Sequence, residues 1–227
     1  MSLWTRIADA LSALASGEGL SAVFDRLRTP PEKTVGFTIA VIALGAKIAK
    51  ADGEVSRGEV AAFRQVFAVP PEEEAQAARV FNLARQDVAG FDAYARKIRA
   101  MFRGDDQVLV DLFEGLFHIA ASDGHLHPGE EEFLQTVAEI FGIGDRCYRA
   151  VRERYLLGAP HDPYDVLGLS RDATLDQVRA AWKQAVRDSH PDRMIARGVP
   201  AEAVKLAERR LIAINAAWEE ISARRAA

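Results

Sequence analysis

The tripeptide His190-Pro191-Asp192 holds the residue types in this chain with the clearest chemical use. Pro191 has no amide hydrogen and disfavours the helical conformation for the residue before it, so a helix arriving from upstream is expected to end at His190. Asp192 would then lie on an exposed turn beside Arg193, where its carboxylate could pair with an arginine of a partner. An ordinary helix-ending turn is the alternative that the tripeptide alone leaves open.

A basic stripe precedes the tripeptide. Arg179, Lys183 and Arg187 are four residues apart, which places them on one face of a predicted helix. Like charges at this spacing cost a helix about 0.2–0.5 kcal/mol per pair, so the stripe does not stabilise the helix itself. An acidic surface on a partner would explain it, and a solvated basic face is the alternative.

Two antiparallel helices joined by an exposed loop are predicted to hold the tripeptide. Thr174 and Gln177 form a capping box at the start of the first helix. Its apolar face consists of Val178, Ala181, Trp182 and Ala185. Pro200 and Glu202 are typical of the start of the second helix, with proline at the first position and an acid in the first turn. Its apolar seam consists of Ala207, Leu211, Ile214, Trp218 and Ile221.

A very short helix is predicted just upstream, with Asp162 as its cap and Gly168 as its end. In order along the chain, PYDVLGL, ATLDQVRAAWKQAVRDSHPDR and INAAWEEI resemble the J domain of DnaJ-type co-chaperones over about residues 162–225. Trp182 and Trp218 stand where that family commonly carries tyrosine, and both are expected to fill the space between the helices.

The resemblance implies a DnaK-type chaperone as partner. In this family the J domain docks where the partner's nucleotide-binding and substrate-binding domains meet and stimulates ATP hydrolysis. It also implies which residues bind the partner: His190, Pro191, Asp192, Arg179, Lys183, Arg187 and Arg193.

The chain of 227 residues has a net charge of −4, unevenly spread. Residues 163–227 hold 11 basic and 9 acidic side chains, and the remainder holds 18 basic and 24 acidic ones. Neither part has the strong basic excess of nucleic-acid-binding proteins, so no nucleic-acid partner is expected.

The only cysteine, Cys147, lies in an apolar-periodic stretch and is expected to be a buried thiol in a reducing compartment. The first residues lack the pattern of a secretory signal peptide. The apolar stretch 35–46 is shorter than the roughly 20 residues that span a bilayer and predicts a buried helix. Residues 1–29 predict an amphipathic helix that packs on the neighbouring domain, with a membrane surface or a partner as the alternative. We therefore expect a cytoplasmic location without an integral membrane span, with peripheral contact at the inner membrane as an alternative.

An internal repeat occupies residues 30–157. The segment IAKADG at 48–53 returns as IAASDG at 119–124, and Glu59 returns as Glu130 at the same offset. Each half predicts a long apolar helix, an Asp-Gly turn and a second helix. In the later copy the second helix begins with Pro128. No run of alternating β-branched residues is visible, so an all-α bundle with a pseudo-twofold relation is predicted.

This doubled pattern resembles the TerB-like domain. A TerB-like domain followed by a C-terminal J domain is similar in order to the DjlA-type J proteins of Gram-negative bacteria. The expected organisation is an N-terminal helical segment at 1–29, a TerB-like domain at 30–157, a Pro- and Gly-containing linker at 158–163 and a J domain at 162–227.

Four carboxylates of the repeat could converge on a hard cation if the halves pack symmetrically: Asp52, Glu59, Asp123 and Glu130. Neither turn has the ligand pattern of an EF-hand loop, and turn and cap chemistry explains the same residues. His125 and His127 flank the second turn and are expected to be exposed rather than zinc ligands. The prediction is therefore no metal and no cofactor.

No nucleophile–base pair or phosphate-binding glycine loop is visible in the sequence, so we expect no catalytic activity of the chain's own. The leading prediction is a co-chaperone that stimulates a DnaK-type ATPase. The alternative is a TerB-like ion-binding or envelope-stress signalling adaptor in which the J domain is an accessory module. Client proteins are a further expected class of partner, and no sequence feature indicates an oligomeric state.

Overall fold

A computed structural model describes residues 7, 32–48, 74–75, 78, 90–122, 124–156, 162–200 and 204–226. Every regular element in these ranges is an α-helix, which confirms the predicted all-α class. The helices with defined bounds are α1 Glu32–Ile48, α2 Phe91–Met101, α3 Asp106–Ala120, α4 Pro128–Phe141, α5 Asp145–Tyr155, α6 Pro163–Val166, α7 Leu175–Asp188, α8 Pro191–Ala196 and α9 Val204–Ala226.

The first five helices form a bundle around α1 and α3. From Val35 to Ile48 almost every side chain of α1 is buried, so the apolar stretch 35–46 is the interior helix that the sequence predicts. Helix α3 packs against α1 and is buried on nearly all sides. Within the described part of the chain, no helix is long and apolar enough to cross a membrane.

Local signals in the sequence correctly place the second half of the repeat. Helix α4 begins at Pro128, and the backbone N–H of His127 donates to Glu130 Oε2 at 2.9 Å. Gly124 has a φ of 85° after the turn, a left-handed conformation that glycine adopts without steric cost. The first copy's Asp-Gly turn and second helix, which include Asp52 and Glu59, lie outside the described residues. The pseudo-twofold relation can therefore be followed only through α1 and α3, which pack against each other.

The C-terminal hairpin of α7 and α9 has a core of its own. Thr174 N–H donates to Gln177 Oε1 at 2.7 Å and Gln177 N–H donates to Thr174 Oγ1 at 3.3 Å, so the predicted capping box is present. Arg225 near the end of α9 donates to the carbonyl of Ala173 before α7, which makes the two helices antiparallel. The hairpin core consists of Leu167, Ala173, Val178, Ile214, Ala217 and Ile221.

Two tryptophans close the outer side of this hairpin. The rings of Trp182 and Trp218 stack at 5.1 Å between centroids, and Trp182 Nε1 donates to Asn215 Oδ1 at 3.0 Å. Both are partly buried and pack against the core. They fill the space between the helices as expected, but at the edge of that space and not at its centre.

The predicted loop between the two helices is wrong in one respect, because a short helix begins within the tripeptide. Helix α7 ends at Asp188, and α8 begins at Pro191 with His190 as its N-cap. Proline at the first helical position has the φ that a helix needs, so the residue that ends one helix also starts the next. Pro200, the predicted first residue of the second helix, lies before the helix and not in it. Glu202 lies outside the described residues, and the described helix begins at Val204.

The hairpin is docked on the bundle. Met194 and Val199 of the connection between the hairpin helices, together with Leu206 and Ala207 of α9, belong to the same buried apolar cluster as the bundle core. The segment that holds the tripeptide therefore shares a core with the N-terminal domain.

Candidate partner-binding site

The tripeptide lies on the surface at the start of α8. The side chain of His190 is 59% exposed and that of Asp192 is 87% exposed. His190 Nδ1 accepts the backbone N–H of Asp192 at 3.2 Å, so the imidazole caps α8 in the way an Asp or Ser side chain caps other helices. This bond fixes the backbone under Asp192 while its carboxylate points to solvent. The predicted exposure of the aspartate is confirmed.

Arg193 is drawn back toward the end of α7. Its Nη1 lies 3.1 Å from Asp188 Oδ1, and Gln184 Nε2 donates to the other oxygen of Asp188 at 2.7 Å. The Arg193 guanidinium therefore braces the turn between α7 and α8. Its predicted contact with a partner stays a prediction.

The basic stripe is exposed along α7. Arg179, Lys183 and Arg187 all face solvent, and Arg187 Nη2 donates to Gln184 Oε1 at 2.9 Å. The guanidinium of Arg179 lies 5.8 Å from the ring centroid of Trp218, a cation–π contact that steadies the start of the stripe. A flat acidic surface could thus reach the stripe without displacing the bundle.

The opposite side of α7 faces the bundle across a cleft of about 610 Å³. Ala181 and Ala185 line it from α7, and Cys147 lines it from α5. Cys147 is half-buried rather than fully buried as the sequence suggested. Burial raises the pKa of its thiol, which disfavours the reactive thiolate.

A buried ion network joins the hairpin to the bundle, and sequence reasoning missed it. Asp111 and Glu114 of α3 have fully buried side chains, and Arg210 of α9 is 6% exposed. Arg210 Nη1 donates to Asp111 Oδ1 at 2.5 Å, and Arg210 Nε donates to Glu114 Oε2 at 2.7 Å. Charges so deeply buried are tolerated only when they are paired and hydrogen-bonded.

Further groups complete the partners of Glu114. Arg154 Nε lies 3.4 Å from Glu114 Oε1, and the Tyr155 hydroxyl donates to the same oxygen at 3.3 Å. Burial alone would raise the pKa of Glu114, but Arg154 and Arg210 outweigh it and lower that pKa below its usual value. The same pairing raises the pKa of Arg210 despite its burial. Glu114 and Arg210 are therefore both ionised.

A histidine of the bundle also meets an arginine of the hairpin. Arg209 Nη1 lies 2.7 Å from His118 Nδ1, and since a guanidinium only donates, Nδ1 accepts and the ring is neutral with its proton on Nε2. Burial, and then the charge of Arg209, lower the pKa of His118 to about 4. His118 is thus a buried histidine with a hydrogen-bond partner.

Only one of the four candidate cation ligands, Glu130, lies among the described residues. Asp52, Glu59 and Asp123 lie outside the described residues. Glu130 is buried and its carboxylate accepts the His127 N–H at the start of α4. The described ranges contain no group of three His, Cys, Asp or Glu side chains that could hold a metal ion. His125 and His127 are exposed, as expected. The cation-binding alternative stays a prediction.

Comparison with known proteins matches both parts of the chain. Residues 38–153 match the family described as tellurite resistance protein TerB, and residues 162–226 match the DnaJ domain. Because the first match covers half of the chain, this protein belongs to the TerB family, and it carries a DnaJ domain after the TerB domain. The resemblance seen in the sequence is confirmed for both.

Relatives that match most of the chain carry the name co-chaperone protein DjlA. The chain is 29% identical to the one from Coxiella burnetii over 194 residues, which are 77% of this chain and 72% of the relative. It is 26% identical to the one from Photobacterium profundum over 216 residues, which are 84% and 78% of the two chains. No solved structure matches the chain.

The expected cytoplasmic location is corrected by these findings. The relatives' names give co-chaperones and no compartment. The lack of a membrane-spanning helix among the described residues assigns no compartment either. The inference from one cysteine and the N-terminal sequence was therefore wrong as an assignment of location.

Proposed function

We propose that this protein is a co-chaperone that stimulates ATP hydrolysis by a DnaK-type chaperone through His190, Pro191, Asp192 and the basic face of α7. The observation that carries the proposal is geometric. An 87% exposed carboxylate stands on a capped helix start, directly after an exposed row of three cations. The DnaJ match and the names of the relatives support the same role.

The stripe and the aspartate have different tasks in this mechanism. Arg179, Lys183 and Arg187 steer the encounter with an acidic surface and set its orientation, a long-range effect that salt weakens. Asp192 then forms a short-range pair with an arginine of the partner, which becomes shielded from solvent on contact. The chain itself contributes no reacting group, since the ATP and the hydrolytic residues belong to the chaperone.

His190 and Pro191 act on the conformation of Asp192. The imidazole holds the Asp192 N–H, and proline fixes the backbone at the first position of α8. Together they present the carboxylate in one orientation before contact, which reduces the entropy lost on binding.

The division into functional parts follows the predicted boundaries. We place the partner-binding unit in residues 162–227, a scaffold in residues 30–157, the linker at 158–163 and an amphipathic N-terminal segment at 1–29. Trypsin digestion of the native chain, followed by mass spectrometry of the fragments, tests this division. Early cleavage inside α2, at Arg96, Lys97 or Arg99, instead of near the linker would overturn it.

The experiment for the proposed function is the ATPase rate of a purified DnaK-type chaperone with and without this protein. Asp192→Asn keeps the size of the side chain but removes its charge, and it should abolish the stimulation. Asp176→Asn, on an exposed carboxylate in the first turn of the same α7, is the matched control and should stimulate like the natural chain. Equal stimulation by Asp192→Asn and the natural chain would overturn the proposal.

A further inference from the structure

One carboxylate of the bundle holds two arginines of the hairpin. Asp111 Oδ1 accepts from Arg210 Nη1 at 2.5 Å, and Asp111 Oδ2 accepts from Arg197 Nη2 at 3.1 Å. The Asp111 side chain is fully buried and that of Arg197 is 17% exposed. Each oxygen of Asp111 thus accepts from an arginine of the other domain, and Oδ1 also accepts from Gln107 Nε2 of its own helix at 3.3 Å.

Arg197 links this carboxylate to the end of α7. The same Nη2 that contacts Asp111 also donates to the backbone carbonyl of Asp188 at 2.9 Å. Asp188 is the last residue of α7, and Arg197 is the C-cap of α8. Arg197 therefore connects the two ends of the segment that contains the tripeptide, and its contact with Asp111 holds that segment against α3.

Apolar packing gives the same segment a second anchor. Met194 of α8 and Val199 after it are 1% exposed and belong to the cluster that contains the bundle core. Ser189, the residue before the tripeptide, is also 1% exposed. The exposed His190 and Asp192 therefore stand on a buried base that the bundle helps to build.

We infer that Asp111 is a positioning residue for partner stimulation: through Arg197 it fixes α8, and with it the Asp192 carboxylate, relative to the basic stripe of α7. This inference rests on the proposed function and gives the TerB domain a direct part in it. The partner then binds a surface whose geometry depends on both domains and not on the hairpin alone.

The chemistry of Asp111 explains why a carboxylate is needed there. An asparagine has one acceptor oxygen and one NH₂ group, so it must present a donor to one of the two guanidinium groups. Either Arg197 or Arg210 then loses one of its two acceptor groups in a buried place, which favours a shifted α8. At position 197 a lysine ammonium could still donate to both acceptors, whereas methionine fills the space without donating.

The test compares four variants of the full chain in the chaperone ATPase assay: Arg197→Met, Arg197→Lys, Asp111→Asn and Arg149→Ala. Arg149 is a matched control, because it also crosses from the bundle to the J domain, with Nε 2.8 Å from Asp165 Oδ2, but contacts α6 instead of the tripeptide segment. Circular dichroism melts confirm that each variant is folded.

Arg197→Met and Asp111→Asn should lower the maximal stimulated rate several-fold while the half-maximal concentration, set by the stripe, stays near that of the natural chain. Arg197→Lys should restore most of the rate, and Arg149→Ala should leave it unchanged. A loss of stability alone would not separate rate from half-maximal concentration in this way. Natural rates in folded Arg197→Met and Asp111→Asn would overturn the inference and leave the proposed function intact.

Hydrogen exchange supplies a measurement that does not need the partner. The amides of Met194, Arg197 and Gly198 donate within α8 and its end. They should exchange faster in Arg197→Met than in the natural chain, while the amide of Val178 at the start of α7 should be unaffected. Equal exchange at α8 would contradict the positioning role even if the natural chain failed to stimulate any chaperone tested.

Discussion

Arg210 of α9 and Glu114 of α3 form a buried ion pair across the two domains, with Arg210 Nε 2.7 Å from Glu114 Oε2. Both side chains are buried, since Glu114 is fully buried and Arg210 is only 6% exposed. A bare apolar contact could slide or rotate, whereas a guanidinium held by two carboxylates fits one orientation. The pair therefore fixes how the J domain sits on the TerB domain.

Removal of one member of this network should destabilise the protein strongly. Arg210→Met leaves Asp111 and Glu114 with fewer cations in a buried place, and we expect a loss of about 3–5 kcal/mol in the free energy of unfolding. Glu114→Gln should cost a similar amount, and the double variant should lose clearly less than the sum. Urea unfolding followed by circular dichroism measures all three. Additive losses in the double variant would show that the two residues do not interact.

The protein should become less stable as pH decreases through the range in which His118 of the unfolded chain takes up a proton. Its pKa is about 4 in the folded chain and has an ordinary value of 6.5, so the unfolded chain takes up the proton first as pH falls. The free energy of unfolding should thus be highest above pH 6.5 and decrease toward pH 4, by up to about 1.4 kcal/mol per pH unit. Urea unfolding at several pH values between 7 and 5, roughly the upper part of this window, measures the slope.

The matched variant for this slope is His118→Gln. Glutamine can still accept from Arg209 but does not titrate. The dependence of stability on pH between roughly pH 7 and pH 5, where the histidine titrates, should therefore become shallower. Glu114 does not contribute to the slope in that range. Its pKa is lowered below the usual value of 4.5, so its protonation destabilises the protein only at more acidic pH. Tyr155 packs beside the His118 ring, 5.5 Å between centroids, and has a raised pKa, so it stays neutral. An unchanged slope in His118→Gln would assign the effect to other groups.

The basic stripe should act through long-range attraction. In Lys183→Ala and Arg187→Ala, the concentration of this protein that half-maximally stimulates the chaperone should rise, with the maximal rate nearly unchanged. The difference from the natural chain should shrink as ionic strength rises from about 0.05 M to about 0.15 M, because screening shortens the reach of the charges. Arg96→Ala on the exposed face of α2 is the control and should behave like the natural chain. A salt-independent difference would mean that the stripe makes direct contacts only.

Much of the hairpin could be predicted from sequence because its signals are local. The capping box at Thr174, the Asp162 cap of α6 and the glycine after it each follow from neighbouring residue types. The same reasoning failed at α8. Proline was taken only as the end of one helix, although it equally suits the first position of another.

The contacts between the domains could not be predicted in this way. Asp111 and Glu114 are 99 and 96 residues from Arg210, and no spacing rule links them. One signal was present: two acids three residues apart within a helix whose other side chains are largely apolar. Buried acids need cations, so the pair indicated missing partners without identifying them. Only the docked structure shows that Arg197 and Arg210 supply them.

The most direct test of the account is single-turnover ATP hydrolysis by a purified DnaK-type chaperone mixed with the full chain. The natural protein should accelerate the hydrolysis step, and Asp192→Asn should return the rate to that of the chaperone alone while its circular dichroism spectrum stays unchanged. Acceleration by a folded Asp192→Asn equal to that of the natural protein, or no acceleration by the natural protein, would contradict the account.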